Sequence, residues 1–130
     1  AAAIEFAITT LGVSDVVVCG HSQCGAMAAL LDGVPHAGTM PHLQDWLTLA
    51  QPVRQLIERN YGHLNTAENR TSAAAAENVL FALENLHTYP AVLEGLKKGN
   101  LRLHGWFFNI ATADMFAFDP ATQQFLPIER

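Results

Sequence analysis

Hydrophobic and polar positions divide the start of the chain into a helix followed by a strand. Residues 2–11 are mostly strong helix formers, and Gly12 follows at the position where a helix usually ends. Residues 13–20 are apolar and largely β-branched, with only Ser14 and Asp15 polar. This pattern is typical of a strand that is buried on both faces of a parallel sheet.

The rest of the chain continues as helices and then as strands. Valine and leucine recur at helical spacing from Val79 to Leu86, with Thr71 or Ser72 as the expected N-cap. A shorter helix after Pro90 is expected to end at Gly99. Further helices are predicted over 26–31, 42–51 and 52–59, and strands over 101–110, 115–118 and 123–127. The order of these elements predicts an α/β fold, one domain spanning 1–130, with a mainly parallel central sheet flanked by helices.

Composition and charge exclude several classes of protein. The chain has 130 residues, half of them hydrophobic, which is enough to bury the core of one domain. Its net charge is −5 with 7 basic residues and no basic cluster, so nucleic acid is not an expected partner. No apolar run approaches the roughly 18 to 20 residues needed to span a bilayer. Cys19 and Cys24 are poorly placed for a disulfide, which favours a reducing compartment and a cytoplasmic location.

His21 and Cys24 follow the first predicted strand and precede a predicted helix. Their side chains are expected at the carboxyl end of the sheet, where open α/β folds bind ligands. Imidazole and thiolate are both zinc ligands, and the His-x-x-Cys spacing lets them reach one tetrahedral ion. Two alternatives remain open: Cys24 as the nucleophile of a thiol enzyme with His21 as its base, or Cys19 as a third metal ligand. In the interior of a strand, however, a cysteine such as Cys19 is usually a small buried hydrophobe.

Three segments of the chain, in the same order, resemble one family. The run Val-Val-Cys-Gly-His-Ser-Gln-Cys-Gly at 17–25 resembles the second zinc-ligand motif of beta-class carbonic anhydrases. Ala-Glu-Asn-Val at 76–79, continued by Asn-Leu at 85–86 and Thr-Tyr-Pro at 88–90, resembles that family's long helix and its end. Leu-His-Gly-Trp at 103–106 resembles the strand that follows. Bacterial members, including the carboxysomal branch, look most similar.

The resemblance implies a zinc enzyme that catalyses the reversible hydration of carbon dioxide to bicarbonate. In the family the zinc is held by Cys, His and Cys with water in the fourth position, and His21 and Cys24 match the last two ligands. The metal lowers the pKa of that water, so that hydroxide is available near neutral pH. Ser22 and Gly25 would lie beside the ligands, with Gly25 permitting a tight turn. The resemblance also implies a homodimer or larger homo-oligomer in the cytoplasm or in a carboxysome.

The sequence departs from the family pattern in two respects. In the family a Cys-x-Asp-x-Arg segment supplies the first zinc ligand and an Asp–Arg pair, but no Cys precedes Cys19 in this chain. We therefore expect an N-terminally incomplete domain that is inactive alone, with the third ligand and the Asp–Arg pair upstream. A non-catalytic scaffold or interaction module, for example in a carboxysome, is the alternative. Phe108 replaces a Tyr whose hydroxyl helps to hold an inhibitory bicarbonate in one subtype, so this regulation is expected to be weak or missing.

Overall fold

The computed structural model describes residues 1–129, with only the backbone of Ala37, while Arg130, the last residue of the predicted domain, lies outside the described residues. The helices are α1 Ala2–Thr9, α2 Gly25–Asp32, α3 Pro41–Thr48, α4 Gln51–Asn60, α5 Ala67–Leu86 and α6 Pro90–Lys98. The strands are β1 Asp15–His21, β2 Arg102–Asn109, β3 Asp114–Asp119 and β4 Gln124–Pro127. Each helix and strand predicted from the hydrophobic pattern is therefore present, with small shifts at the ends. None of the helices within residues 1–129 is both long and apolar enough to cross a bilayer.

The strands form one sheet in the order β1-β2-β3-β4. β1 pairs with β2 in parallel, from Asp15 opposite Arg102 to His21 opposite Phe108, and the two remaining pairings are antiparallel. The α/β class is confirmed, but the sheet of residues 1–129 has one parallel and two antiparallel pairings instead of being mainly parallel. The turns after β2 and β3 are too short for the crossover connection that parallel pairing requires.

The helices in the described part of the chain pack against one face of the sheet. Val16 and Val18 of β1 join a core cluster that includes residues of α1, α5 and α6. α5 crosses the sheet at Gly105, where a β-carbon would lie 3.1 Å from Cγ1 of Val79. The missing side chain of Gly105 therefore lets α5 lie close to β2. A second cluster, built from α2, α3, α4 and α5, adjoins the first.

The opposite face of the sheet is left uncovered by residues 1–129. Burial alternates along β1, so that Val17, which is 42% exposed, and Cys19 point away from the helices. Strand pairing places Trp106, Ala117 and Leu126 in register with Cys19 across this uncovered face. The predictions of a strand buried on both faces and of Cys19 as a buried hydrophobe are therefore wrong for the described chain, because the helices cover only one side of β1.

α5 begins one turn before its predicted start. Its N-cap is Thr66, whose hydroxyl accepts a hydrogen bond from the backbone amide of Asn69 at 3.1 Å. The prediction of Thr71 or Ser72 as the N-cap is wrong, since both residues lie inside the helix and Thr71 is buried. The end of α6 is as predicted, and Gly99 there has the left-handed φ of 70° that favours glycine.

Tyr61, which directly follows α4, links that helix to α5. Its hydroxyl donates a hydrogen bond to the carboxylate of Glu77. Partial burial of the phenol, and then this hydrogen bond and the charge of Glu77, raise the pKa of Tyr61 to about 12. The bond holds the end of α4 against the middle of α5.

Candidate metal site at the end of strand β1

The candidate ligands lie on one short loop at the carboxyl end of β1. His21 is the last residue of β1, and Cys24 is the N-cap of α2. Between them, Gln23 adopts a left-handed backbone conformation with φ 56°. This residue turns the chain from the strand into the helix. Non-glycine residues in this conformation are strained, and such strain is concentrated at functional sites.

The ring of His21 is oriented by the backbone beside it. Its Nδ1–H donates a hydrogen bond to the carbonyl oxygen of Ser22 at 2.8 Å, since a carbonyl oxygen can only accept. In a neutral imidazole this arrangement leaves the lone pair on Nε2. Histidines that bind metals commonly have their other ring nitrogen bonded to a carbonyl or carboxylate in this way. The side chain of His21 is exposed, so an ion can approach it.

Cys24 presents a free thiol at the start of α2. Like Cys19, it forms no disulfide. It is half-buried and packs against the core cluster that contains Met27 and Leu30. The N-terminus of a helix carries partial positive charge, which suits an anionic sulfur ligand. The position therefore combines a supported side chain with a favourable charge environment.

The two residues predicted to lie beside the ligands have different surroundings. Ser22 is 6% exposed, and its hydroxyl accepts a hydrogen bond from the backbone amide of Ile110 at 2.9 Å. Gly25 is exposed, and a β-carbon there would meet no other part of the described chain within 4 Å. The left-handed residue of the turn is Gln23, so the turn does not depend on Gly25. The placement of Ser22 and Gly25 beside a metal stays a prediction.

The described residues supply two candidate metal donors here but not a complete set. Within residues 1–129, no group of three or more His, Cys, Asp and Glu side chains is arranged to hold a metal ion. Cys19 is therefore not grouped with His21 and Cys24 in the described part of the chain, and its thiol lies 3.5 Å from the carbonyl oxygen of Gly20. His21 and Cys24 nevertheless fit zinc, because imidazole and thiolate are the donors that tetrahedral zinc prefers.

His104 belongs to a surface network at the amino end of the parallel strands. Its Nε2 lies 2.8 Å from Oδ1 of Asp15. Arg102 donates to both oxygens of the same carboxylate, at 2.8 Å and 2.9 Å. The hydrogen bonds from Arg102, Ser14 and His104 hold the pKa of Asp15 well below its usual range. His104 thus contributes to a surface ion-pair network and not to the candidate metal site.

Phe108 lies opposite His21 in the parallel pairing of β1 and β2. Its carbonyl oxygen accepts a hydrogen bond from the backbone amide of Ser22 at 2.9 Å. The phenyl ring itself has no hydrogen-bonding group. The expected weakness of bicarbonate regulation stays a prediction.

Several features of the site were not foreseen from the sequence. The partner of the Ser22 hydroxyl is Ile110, at a sequence separation of 88 residues, and no local pattern indicates such a pairing. The left-handed residue is Gln23, whereas the sequence indicated Gly25 as the turn residue. Asn109 orders the turn after β2 by accepting hydrogen bonds from the amides of Ala111 and Thr112, and an Asn at a strand end is a signal that could have indicated it.

Comparison with known proteins identifies relatives along almost the whole chain. The model of the family described as carbonic anhydrase matches residues 1–115. A carbonic anhydrase of Synechocystis sp. is 40% identical over 125 residues, which are 96% of this chain and 45% of that protein. Carbonic anhydrase 1 of Escherichia coli O157:H7 is 40% identical over 128 residues, which are 98% of this chain and 57% of that protein. The chain thus spans about half the length of these relatives.

Solved structures share the fold described above. The structure of the beta-carbonic anhydrase CcaA has a TM-score of 0.91 at 39% identity, and the match covers 98% of this chain and 61% of that one. One of two tetrameric beta-carbonic anhydrases from Sordaria macrospora has a TM-score of 0.80 at 29% identity, covering 89% of this chain and 57% of that one. Together with the match of the family model, these likenesses show that the chain belongs to the beta-carbonic anhydrase family.

Proposed function

We propose that the whole protein catalyses the zinc-dependent, reversible hydration of carbon dioxide to bicarbonate, with His21 and Cys24 as two of its metal ligands. The observation that carries the proposal is the loop at the end of β1 in a chain of this family. There His21 has Nδ1 bonded to a carbonyl, and Cys24 offers a free thiol at a helix N-terminus. Both groups are available to one ion on the same loop.

The residues of this chain would hold and orient the metal. Zinc supplies the Lewis acidity that makes water a nucleophile near neutral pH. His21 would bind through Nε2 while the carbonyl of Ser22 fixes its ring, and Cys24 would bind through Sγ. We propose that the third ligand and an Asp–Arg pair for proton handling come from a Cys-x-Asp-x-Arg segment, which residues 1–129 do not contain.

The test combines metal analysis with carbon dioxide hydration measured on the full-length protein. We expect about one zinc per chain, with both zinc and activity lost in His21→Ala and in Cys24→Ala, because each removes a donor. Cys19→Ser is the matched control, since it also removes a thiol near the loop and should retain zinc and activity. Zinc retained by both ligand variants would overturn the proposed ligands.

Two further outcomes separate the competing functions. Zinc binding without hydration activity would favour a non-catalytic scaffold. A protein without zinc, whose activity is abolished by thiol alkylation of Cys24, would favour a thiol enzyme. Either result contradicts the proposed reaction.

We also infer that copies of the protein assemble through the uncovered sheet face. Val17 and Leu126 on this face are 42% and 43% exposed, and Trp106 lies between their strands. Contiguous exposed apolar surface marks an interaction site. A second copy is the partner that we propose, since a related solved structure is described as tetrameric.

For the location, we propose the cytoplasm. The support is the pair of free thiols, Cys19 and Cys24, which a reducing compartment maintains. A carboxysomal location rests on the family resemblance alone and stays a prediction.

A further inference from the structure

Ser22 uses all of its polar groups to connect strand β2 with the imidazole of His21. Its backbone amide donates to the carbonyl oxygen of Phe108 at 2.9 Å. Its hydroxyl accepts from the amide of Ile110 at 2.9 Å. Its carbonyl oxygen accepts from Nδ1–H of His21 at 2.8 Å. The serine is 6% exposed, so water does not readily replace these partners.

The far side of this connection is itself ordered. Ile110 follows the end of β2, in the turn that leads to β3. In that turn the side-chain oxygen of Asn109 accepts hydrogen bonds from the amides of Ala111 at 3.0 Å and Thr112 at 3.4 Å. Ser22 is therefore attached to a fixed support, and not to a free loop.

The Ser22 hydroxyl affects the relative positions of the two candidate ligands, His21 and Cys24. The orientation of the His21 ring follows the Ser22 carbonyl, and the position of that carbonyl follows the attachment of Ser22 to β2. Beyond Ser22, the strained Gln23 leads directly to Cys24, the other candidate ligand. Without the bond from Ile110, only the backbone amide of Ser22 would attach the loop to β2. The donor atoms of His21 and Cys24 could then shift relative to each other.

We propose that Ser22 is a positioning residue, whose hydroxyl attaches the ligand loop to the β2–β3 turn and so fixes His21 and Cys24 in the arrangement that binds the metal. This inference rests on the proposed function, because it takes these two side chains as the ligands. Partners that orient metal ligands change metal affinity by about 10- to 100-fold when they are removed. Ser22→Ala removes the acceptor for the Ile110 amide while leaving both ligands in place.

The experiment uses the full-length protein loaded with Co²⁺ in place of zinc, and compares Ser22→Ala with the wild type. We expect Ser22→Ala to retain its circular dichroism spectrum, to show altered cobalt absorption bands, and to release metal to a chelator about 10- to 100-fold faster. Ser14→Ala is the matched control, because the Ser14 hydroxyl is also hydrogen-bonded beside β1, but to Asp15 at the opposite end of the strand. It should behave as the wild type.

Asn109→Ala tests the same attachment if Ser22→Ala does not fold. Asn109→Ala loosens the turn that holds Ile110 without touching the ligand loop, and it should accelerate metal release in the same direction but by a smaller factor. Wild-type spectra and release rates in whichever of the two variants folds would overturn the role of Ser22. A wild-type protein whose cobalt spectrum lacks thiolate-to-metal charge transfer would instead overturn the proposed ligands, and the role of Ser22 with them.

Discussion

Gly20 of β1 and Val79 of α5 touch across the interface between helix and sheet: a β-carbon on Gly20 would lie 2.8 Å from Cγ2 of Val79 and 3.0 Å from the carbonyl oxygen of Ala75. The carbonyl belongs to the helix backbone and cannot turn aside as a side chain could. We expect Gly20→Ala to lower the free energy of unfolding by about 1–3 kcal/mol through overpacking. Urea denaturation followed by circular dichroism measures this change.

Gly62→Ala is the control for the substitution at Gly20. A β-carbon on Gly62 would meet nothing else in the described chain within 4 Å, and its φ is not in the left-handed region. Gly62→Ala should change the free energy of unfolding by no more than about 0.5 kcal/mol. Equal destabilisation by Gly20→Ala and Gly62→Ala would contradict close packing of α5 on β1.

Tyr61 should make stability depend on pH in the alkaline range. Its pKa in the folded protein is raised to about 12, first by burial and then by Glu77, whereas an unfolded tyrosine titrates near pH 10. The stabilisation is complete below about pH 10 and is lost as the pH rises toward 12. Tyr61→Phe should therefore be less stable than the wild type at neutral pH, with a difference that shrinks between those values.

Denaturation midpoints measured from pH 8 to pH 12 test the role of Tyr61. Glu77→Gln provides the comparison, because it removes the negative charge but retains an oxygen that can accept the hydrogen bond. Its alkaline loss of stability should be smaller than that of the wild type. If the difference in denaturation midpoint between the wild type and Tyr61→Phe did not change from pH 8 to pH 12, ionisation of the Tyr61 phenol would not be coupled to folding.

Asp15 should make stability depend on pH in the acidic range, where stability is lost as the pH falls. Its pKa is lowered in the folded protein, mainly by Arg102, so its contribution is present above about pH 4, where an unfolded aspartate titrates. That contribution is lost as the pH falls toward the lower folded value. Asp15→Asn should be less stable than the wild type at pH 7 and should approach it on acidification. In Asp32→Asn, which leaves the network intact, thermal melts at several pH values should follow those of the wild type.

Substitutions of Thr66 test whether α5 begins at the observed position. Thr66→Ala removes the acceptor for the amide of Asn69 and should cost about 1 kcal/mol of stability, whereas Thr66→Ser keeps the hydroxyl and should cost little. Chemical denaturation of the two variants measures the difference. If Ser72→Ala destabilised the protein and Thr66→Ala did not, the helix would begin where the sequence pattern placed it.

We expect the uncovered sheet face to be the contact between copies of the protein. Val17→Glu places a charge on this face, and we expect the full-length variant to dissociate into smaller species in analytical ultracentrifugation. Leu93→Glu is the matched control, since Leu93 is similarly exposed, at 39%, but lies on α6. An oligomer unchanged by Val17→Glu would exclude the face as the contact between copies.

The sequence allowed good prediction of features that depend on neighbouring residues. The presence of β1, the end of α6 at Gly99 and the placement of His21 and Cys24 where a strand leads into a helix all follow from local patterns. The uncovered face of β1 could not be predicted in this way, because an apolar strand has the same composition whether one or both faces are covered. The bond from Ile110 to Ser22 depends on the pairing of distant strands, which no local pattern specifies.

That long-range bond also has a consequence for the order of events during synthesis. The proposed ligands His21 and Cys24 are made early, but Ile110, whose amide donates to the Ser22 hydroxyl in their loop, follows Ser22 by 88 residues. Closing so long a loop costs chain entropy, and pairings between distant segments form slowly. The helices between β1 and β2 can form from nearby contacts first. We therefore expect a nascent chain to acquire the proposed metal site only after its β2–β3 turn has left the ribosome, long after both donors have emerged.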